Sequence, residues 1–255
     1  MPSIAACADG SSANAPFGPL NVVHEDAHLL VLDKPADLLA VPGRGPDKAD
    51  CLSARAQRRW PDALVVHRLD QATSGLIVLA RSPAVQRQLS ADFAERRVRK
   101  RYEALVQGRL TLPAPARSPS FTSSSRSAPD LAVRPPADDS ATPVGGRPVP
   151  PPGWALIDLP LIIDWPNRPR SKVDAPTGKP SQTLWQPLAY DPASDTTRVA
   201  LAPITGRSHQ LRVHLMALGH PIVGDTLYGP AGDAAPRLML HACALGLTHP
   251  VSGAA

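Results

Sequence analysis

A polar run between two apolar segments holds the residues best suited to do chemistry. Residues 64–66 and 76–79 are rich in Leu, Val and Ile and predict two buried strands, and residues 67–75 connect them as a loop. Asp70 lies in the middle of this loop, at the edge of the predicted core, where a carboxylate stays ionised only if a cation compensates for its lost hydration. The loop by itself has two interpretations: a catalytic carboxylate, or a turn in which Asp70 and the hydroxyl groups after it cap backbone groups.

The surrounding segments predict an ordered framework in the first half of the chain. Residues 21–24 and 29–32 are short β-prone runs that predict a hairpin. A helix is predicted from Cys51 to Trp60, where Pro61 ends it. A second helix begins after Ser82 as its N-cap and presents one apolar face. That face is formed by Val85, Leu89 and Phe93.

The second half of the chain predicts further short strands and one more helix. The strands are predicted at residues 102–107, 156–163, 183–185, 199–201 and 238–247. The helix follows His209, carries Leu211, Leu215 and Leu218 on one side, and ends at Gly219. Many short strands with two or three helices predict an α+β fold, with a mixed, largely antiparallel sheet flanked by helices.

Composition divides the chain into ordered and disordered parts. Its 255 residues are enough for one catalytic domain, which we predict over residues 17–255. Residues 1–16 are small and polar and predict a disordered leader. Residues 111–152 contain eleven of the 31 prolines and have no hydrophobic periodicity, which predicts a disordered Pro/Ser/Arg-rich surface insertion within that domain.

Charge and cysteine content narrow the class of protein. The formal net charge of +5 favours an anionic partner such as nucleic acid. Cys7, Cys51 and Cys243 are far apart and form no metal-ligand pattern, so they predict free thiols in a reducing cytoplasm. No apolar stretch is long enough for a membrane span, and the N-terminus has no signal-peptide pattern. The sequence therefore predicts a cytoplasmic protein without a membrane partner.

The central loop, HRLDQATSG at residues 67–75, resembles the H-R-L-D-x-x-T-S-G signature of the RluA family of RNA pseudouridine synthases. Other segments match that family in the same order: Lys34-Pro35, Lys100-Arg101-Tyr102, and residues 204–214 and 219–225. The resemblance covers about Leu20 to Pro250 without the insertion and implies the pseudouridine synthase fold. Residues 41–44 and 164–169 are most similar to the family member that acts on both 23S ribosomal RNA and transfer RNA. We expect no S4-type RNA-binding domain, which many relatives carry, because the leader is too short for one.

The resemblance implies an isomerase that breaks the bond between C1′ and N1 of a uridine, rotates the uracil and rejoins it through C5, without a metal or another cofactor. It implies Asp70 as the essential carboxylate, which attacks the nucleotide covalently or takes a proton from the ribose; the sequence leaves both routes open. It implies Arg207 as the cation that holds the pKa of Asp70 down. A surface cation at a helix start is the disfavoured alternative for Arg207, because it would oppose the helix dipole.

Two more active-site roles follow from the resemblance, each with a structural alternative. Tyr102 is implied as the ring that stacks on the uracil; the alternative is a core aromatic on a strand. Arg68 is implied as the residue that displaces the target base from the RNA stack, and the alternative is a salt-bridged structural arginine. His67, His209 and His214 are interpreted as structural or RNA-contacting, since this reaction calls for no imidazole base.

Two basic segments, residues 96–101 and 165–172, are predicted as surface loops that contact RNA phosphates and bases. Solvated surface charge is the alternative interpretation of both. The residues assigned to RNA binding are Arg68, Lys100, Arg101, Trp165, Arg168 and Arg170. The predicted partner is a stem-loop of 23S ribosomal RNA, of transfer RNA or of both, and the predicted assembly is a monomer.

Three other functions compete with this interpretation. A family member that modifies a different ribosomal RNA position would carry the same motifs. A catalytically silent RNA-binding protein would share the basic surface, but it would have no reason to combine Asp70, Tyr102 and Arg207. A hydrolase acting on a glycosidic bond would need a second acidic residue in a matching motif, and the sequence has none.

Overall fold

The computed structural model describes residues 19–45, 48–113, 143–144, 147–233 and 235–254. The predicted leader and most of the predicted insertion lie outside these residues. The described chain forms two compact units. The first comprises the residues up to Tyr102 and those from Gly232 onward, and the second comprises Glu103–Ala231. The single catalytic domain stays a prediction.

The elements of the first half are β1 (Asn21–Glu25), β2 (Leu29–Lys34), α1 (Leu52–Arg59), β3 (Leu64–Val65), β4 (Ser74–Ala80), α2 (Pro83–Ala94) and β5 (Arg99–Gln107). Those of the second half are β6 (Pro143–Val144), β7 (Arg147–Pro148), β8 (Ala155–Asp158), β9 (Leu161–Ile163), β10 (Ser171–Val173), β11 (Gln182–Asp191), β12 (Thr196–Pro203), α3 (Gln210–Ala217) and β13 (Leu240–Gly246). In the described segments, every helix is too short or too polar to cross a membrane.

The sheet of the first unit is centred on β4. Strands β2 and β3 pair with β4 in antiparallel fashion, β1 pairs antiparallel with β2, and β13 runs parallel to β4. Alternate residues of β4 face opposite sides of the sheet. Ile77 and Leu79 pack in one cluster with Leu52 and Ala56 of α1. A second cluster packs β4 against α2 and contains Val78, Ala80, Val85 and Leu89. From Leu76 to Ala80, β4 is apolar, which suits a strand covered on both faces.

Local capping explains why the two helices of the first unit begin where they were predicted. The Sγ atom of Cys51 accepts a hydrogen bond from the backbone N–H of Ala54 at 3.4 Å. Ser82 Oγ accepts from the N–H of Val85 at 3.3 Å, and a proline occupies the first turn of α2. Both predicted helices and the β1–β2 hairpin are confirmed.

In the second unit, β11 pairs antiparallel with both β8 and β12, and β9 pairs antiparallel with β10. The prediction of one strand over residues 156–163 was wrong. That segment is divided into β8 and β9, which have different partners, because Pro160 lies between them and has no N–H to donate to a ladder. Strand β11 extends well beyond the predicted residues 183–185, and a shift in register after Pro187 accommodates the proline.

Helix α3 is confirmed, and Gly219 with a φ of 84° follows its end. Leu218, predicted on the same side as Leu211 and Leu215, caps the helix and is 37% exposed. Within the predicted insertion, β6 and β7 pair antiparallel. The α+β class with a mixed, largely antiparallel sheet is confirmed.

Candidate active site

Asp70 lies in a tight turn between β3 and β4. The N–H of Thr73 donates to the carbonyl of Asp70 at 3.1 Å, which closes the turn. Within the turn, Leu69 is buried at 6% exposure, Asp70 is half-buried and Arg68 is exposed. The leucine therefore anchors the loop in the core, while its two polar neighbours reach toward solvent.

The loop ends at Gly75, where the backbones of β4 and β13 approach closely. Gly75 has a φ of 112°, and a β-carbon at this position would overlap the backbone of Ala242 in β13. Only glycine combines this backbone conformation with so close a neighbour. A larger side chain would push β4 away from β13 directly after the Asp70 turn.

A buried lysine holds the same turn from the side of β2. Lys34 ends β2 and is fully buried. Its ammonium donates hydrogen bonds of 2.7–2.8 Å to three backbone carbonyls, which belong to Pro35, Leu38 and Gln71. All three protons of the ammonium are used in this way. Lys34 therefore ties the residue next to Asp70 to the end of β2.

The charge of Asp70 acts on two neighbouring groups of the first unit. Burial lowers the pKa of Lys34 to about 8, although the negative charges of Asp37 and Asp70 oppose that shift. Burial raises the pKa of the half-buried Tyr102 phenol, and the charge of Asp70 raises it further. Tyr102 therefore presents a neutral ring. The structure brings Asp70 and Tyr102 together, and it adds Lys34 as a nearby cation.

The turn is also tied to β13 through Ser74. Ser74 Oγ donates to the carbonyl of Leu240 at 3.3 Å and lies 3.0 Å from His241 Nδ1. Since serine has one proton, donation to Leu240 leaves His241 Nδ1 as the donor to Ser74 Oγ. Arg237 Nη1 donates to the same oxygen at 3.4 Å. A hydroxyl after Asp70 does bind backbone, but it binds a neighbouring strand and not its own turn.

His67 begins the signature and has a structural role. Its Nε2 accepts from the N–H of Val78 at 3.1 Å, and its ring stacks on Phe93 with the centroids 4.3 Å apart. Burial lowers the pKa of His67 to about 3, and the positive charge of Lys100 contributes to the shift. The imidazole is therefore neutral at physiological pH.

We expect this neutral histidine to make folding sensitive to mild acid. In the unfolded chain His67 takes up a proton near its ordinary pKa of about 6.5, whereas the folded protein resists protonation until about pH 3. The stability it contributes is therefore complete above about pH 6.5 and is lost as the pH falls below it. We expect a loss of about 1 kcal/mol from pH 6.5 to 5.5, allowing for partial exposure. Urea unfolding of the wild type and His67→Gln at both pH values measures it, and equal losses in the two proteins would contradict the assignment.

Arg207 belongs to the second unit. Its Nε and Nη2 atoms both donate to the carbonyl of Pro180 at 3.4 Å, and its backbone N–H donates to Gln210 Oε1 at 3.1 Å. Helix α3 begins at Gln210, so Arg207 is an exposed residue of the preceding loop. A surface cation at a helix start was the disfavoured alternative; Arg207 is exposed and lies three positions before α3. Its pairing with Asp70 stays a prediction.

The second predicted basic segment forms a compact loop with an exposed aromatic ring. Trp165 begins a 3₁₀ turn and is 65% exposed, and the Arg168 guanidinium lies 3.8 Å from its ring centroid. The N–H of Asp164 donates to the carbonyl of Arg170 at 2.9 Å, which closes the loop. Arg170 is exposed, and the segment continues into β10 from Ser171. We call residues 164–170 the Trp165 loop.

The first predicted basic segment is a loop only in its first half. Strand β5 begins at Arg99, so the assignment of Lys100 and Arg101 to a surface loop was wrong. Both are half-buried, because long basic side chains can lay their aliphatic stems along a sheet. Burial and the charge of Arg96 lower the pKa of Lys100. The carbonyl of Arg101 accepts from Cys243 Sγ at 3.4 Å.

Sequence reasoning missed three residues that organise these sites. Lys34 had two detectable signals: it is a charged residue that directly continues an apolar strand, and Lys34-Pro35 is one of the segments that match the family. His241 and Tyr228 had none, because their partners, Ser74 for the first and Ser171 and His209 for the second, are distant in sequence. The contacts of His214 fit the structural one of its two interpretations. Its Nδ1 lies 2.9 Å from the Thr183 hydroxyl of β11, and its Nε2 lies 3.1 Å from the carbonyl of Leu159 between β8 and β9.

Known proteins resemble this chain over most of its length. The family model described as RNA pseudouridylate synthase matches residues 28–217. The chain is 44% identical over 243 residues to the dual-specificity RNA pseudouridine synthase RluA of Escherichia coli K12, covering 94% of this chain and 92% of that protein. It is 40% identical over 235 residues to the protein of the same name from Pasteurella multocida, covering 91% and 89%.

Two human structures share the fold. Human RNA pseudouridylate synthase domain containing 1 has a TM-score of 0.63 at 27% sequence identity, over 92% of this chain and 80% of the other. Human RNA pseudouridylate synthase domain containing 4 has a TM-score of 0.57 at 23% identity, over 88% and 83%. The family match over most of the chain and the identity to full-length relatives lead to one conclusion: this chain belongs to the RluA family of RNA pseudouridine synthases, which are isomerases.

Proposed function

We propose that this enzyme converts specific uridines of 23S ribosomal RNA and of transfer RNA to pseudouridine, as a monomer in the cytoplasm. The observation that carries the chemistry is the Asp70 turn, where a half-buried carboxylate lies near a neutral phenol ring and a buried ammonium. The choice of RNA is supported by the 44% identity to a relative named for dual specificity.

In this proposal Asp70 is the essential carboxylate. It either attacks the nucleotide covalently or takes a proton from the ribose, and both routes need the carboxylate in its ionised form. The ammonium of Lys34 is a buried positive charge that interacts with Asp70. The ring of Tyr102 stacks on the uracil, a role supported by the raised pKa of its phenol, which keeps a second negative charge away from Asp70.

RNA recognition in this proposal uses exposed basic and aromatic groups. Arg68 displaces the target base, a role supported by its solvent exposure directly beside a buried leucine in the Asp70 turn. The Trp165 loop offers a ring for base stacking and the guanidinium groups of Arg168 and Arg170 for phosphates. Lys100 and Arg101 are proposed as further phosphate contacts made from the start of β5.

Tritium release from RNA tests the activity. The reaction replaces the hydrogen on uracil C5 by the bond to the ribose, so uridine labelled with tritium at C5 loses its label to water. We expect release from both 23S ribosomal RNA and transfer RNA transcripts, at discrete positions that chemical mapping of pseudouridine identifies. Release from ribosomal RNA at another position alone would indicate a different target. Binding without release would indicate a silent RNA-binding protein.

We expect Arg207→Ala to lower the turnover of pseudouridine formation about 100-fold, because a cation that favours an ionised carboxylate contributes on that scale. Arg198→Ala is the matched control, since Arg198 is also an exposed arginine of the second unit and pairs with Glu103 at 3.0 Å. The control should keep the wild-type rate. An unchanged rate in Arg207→Ala would remove the proposed role.

A further inference from the structure

The second unit contains a buried tyrosine whose hydroxyl joins two segments that the proposed function uses. Tyr228 is 6% exposed and lies outside the segments that first pointed to the family. Its hydroxyl oxygen is 2.7 Å from the backbone nitrogen of Ser171 and 2.7 Å from Nδ1 of His209. Ser171 directly follows the Trp165 loop, and His209 follows Arg207 by two positions.

Chemistry determines the direction of the first of these hydrogen bonds. A backbone N–H can only donate, so the Tyr228 oxygen accepts from Ser171. In the His209 tautomer that carries its hydrogen on Nε2, Nδ1 accepts the proton of the phenol; in the other tautomer, the Nδ1–H donates to the second lone pair of the oxygen. Burial raises the pKa of Tyr228, which keeps the phenol protonated. In both tautomers one hydroxyl joins two loops.

His209 has a backbone conformation that needs support. Its φ is 55° and its ψ is 20°, in the left-handed region that residues with a β-carbon rarely adopt. It is also the N-cap of α3, so its conformation sets the direction in which residues 206–208 leave the helix. The imidazole packs edge-on against the Tyr228 ring, with centroids 5.6 Å apart and planes at 81°. Strained residues of this kind persist where their surroundings hold them, often at functional sites.

Tyr228 is itself held rigidly. Its backbone N–H donates to Asp225 Oδ1 at 3.0 Å. The buried carboxylate of Asp225 receives two hydrogen bonds from Arg212, at 2.6 and 2.7 Å, and the Arg212 guanidinium lies 5.0 Å from the Tyr228 ring centroid. A phenol supported in this way can transmit a fixed position to the groups that its hydroxyl contacts.

We propose that Tyr228 is a positioning residue of this enzyme. Through its hydroxyl it keeps the Trp165 loop and the Arg207 segment in one mutual arrangement, so that the proposed base-stacking group and the proposed active-site cation are placed together. This inference rests on the proposed function. It assigns to Tyr228 an effect on the rate that acts through Arg207, and an effect on RNA affinity that acts through the Trp165 loop.

The test uses Tyr228→Phe, which keeps the ring and removes the hydroxyl. We expect the single-turnover rate of pseudouridine formation to fall about tenfold and the Kd for RNA to rise about threefold, both measured on the folded fraction. Tyr190→Phe is the matched control, since the Tyr190 hydroxyl donates to Asp195 at 2.9 Å on the exposed β11–β12 hairpin. It should leave both quantities unchanged.

The same substitution in the Arg207→Ala variant distinguishes a positioning role of Tyr228 from a general effect on the stability of the fold. In Arg207→Ala the positioned group is gone, so adding Tyr228→Phe should lower the rate by less than about twofold more. An equal tenfold loss in both backgrounds, or no loss in the single variant, would overturn the proposal. If Tyr228→Phe fails to fold, His209→Gly removes the same hydrogen bond, because glycine adopts the left-handed conformation and has no side chain to contact the hydroxyl. A wild-type protein without activity would refute the proposed function and not this arrangement.

Discussion

Asp70→Asn is expected to abolish pseudouridine formation while RNA binding persists. Asparagine has nearly the same shape as aspartate, so the turn closed by Thr73 and anchored by Leu69 should form as before. The amide, however, is neutral and neither attacks the nucleotide nor takes a ribose proton. Loss of a reacting group of this kind costs about 10⁴-fold or more in rate. Tritium release and a filter-binding assay on the same transcripts measure the two properties separately.

Asp37→Asn provides the control for charge. Asp37 is exposed, and its negative charge acts on Lys34 as that of Asp70 does. It has a φ of 65°, which asparagine tolerates well. This variant should retain a rate within about threefold of the wild type. If Asp70→Asn kept full activity, or if Asp37→Asn lost as much activity as Asp70→Asn, Asp70 would not be the essential carboxylate.

Lys34→Met is expected to cause the largest loss of stability together with a loss of activity. Methionine relieves the cost that burial imposes on the ammonium, but it leaves three backbone carbonyls without their donor. A buried group left unsatisfied costs about 1–3 kcal/mol, and the carbonyl of Leu38 is in the buried part of this cluster. We therefore expect the unfolding free energy to fall by about 2–4 kcal/mol.

The same variant should slow the reaction beyond its effect on folding. Without Lys34 the carbonyl of Gln71 is released, and a positive charge that interacts with Asp70 is lost. We expect the rate per folded molecule to fall about 10- to 100-fold. Urea unfolding and single-turnover assays measure the two effects. Lys179→Met, at an exposed lysine, is the control, and a Lys34→Met protein as stable and as fast as the wild type would refute the role of Lys34.

These expectations assign different tasks to Lys34 and Tyr102, the two groups near Asp70 whose pKa values burial shifts. The ammonium of Lys34 is placed by three backbone carbonyls and so has little freedom to follow the substrate. The ring of Tyr102 is neutral and half-buried, which suits contact with an uncharged base. A fixed cation and a neutral stacking surface near Asp70 suit the isomerisation proposed for this enzyme.

The sequence correctly predicted those elements whose formation depends on residues within or beside them. Both helices of the first unit begin at a side-chain cap and α2 has a proline in its first turn, and these signals lie within a few residues of the helix they start. The Asp70 turn was also recognisable, because the whole motif lies in one continuous run that ends at a glycine. Failures occurred where the outcome depended on a distant partner. Pro160 is a local signal for the break within residues 156–163, yet which strands the two halves pair with depends on residues elsewhere in the chain.

By itself, the sequence determined the family, the carboxylate at its centre and most of the regular elements, because each depends on residues that are near neighbours along the chain. Only the tertiary structure decided how that carboxylate is surrounded. Lys34 reaches Gln71 and Ser74 meets His241 across the sheet, and Tyr228 joins Ser171 to His209 in the second unit. These contacts depend on the register of strands far apart in sequence, and a burial pattern along one segment does not specify which distant polar group will lie beside it.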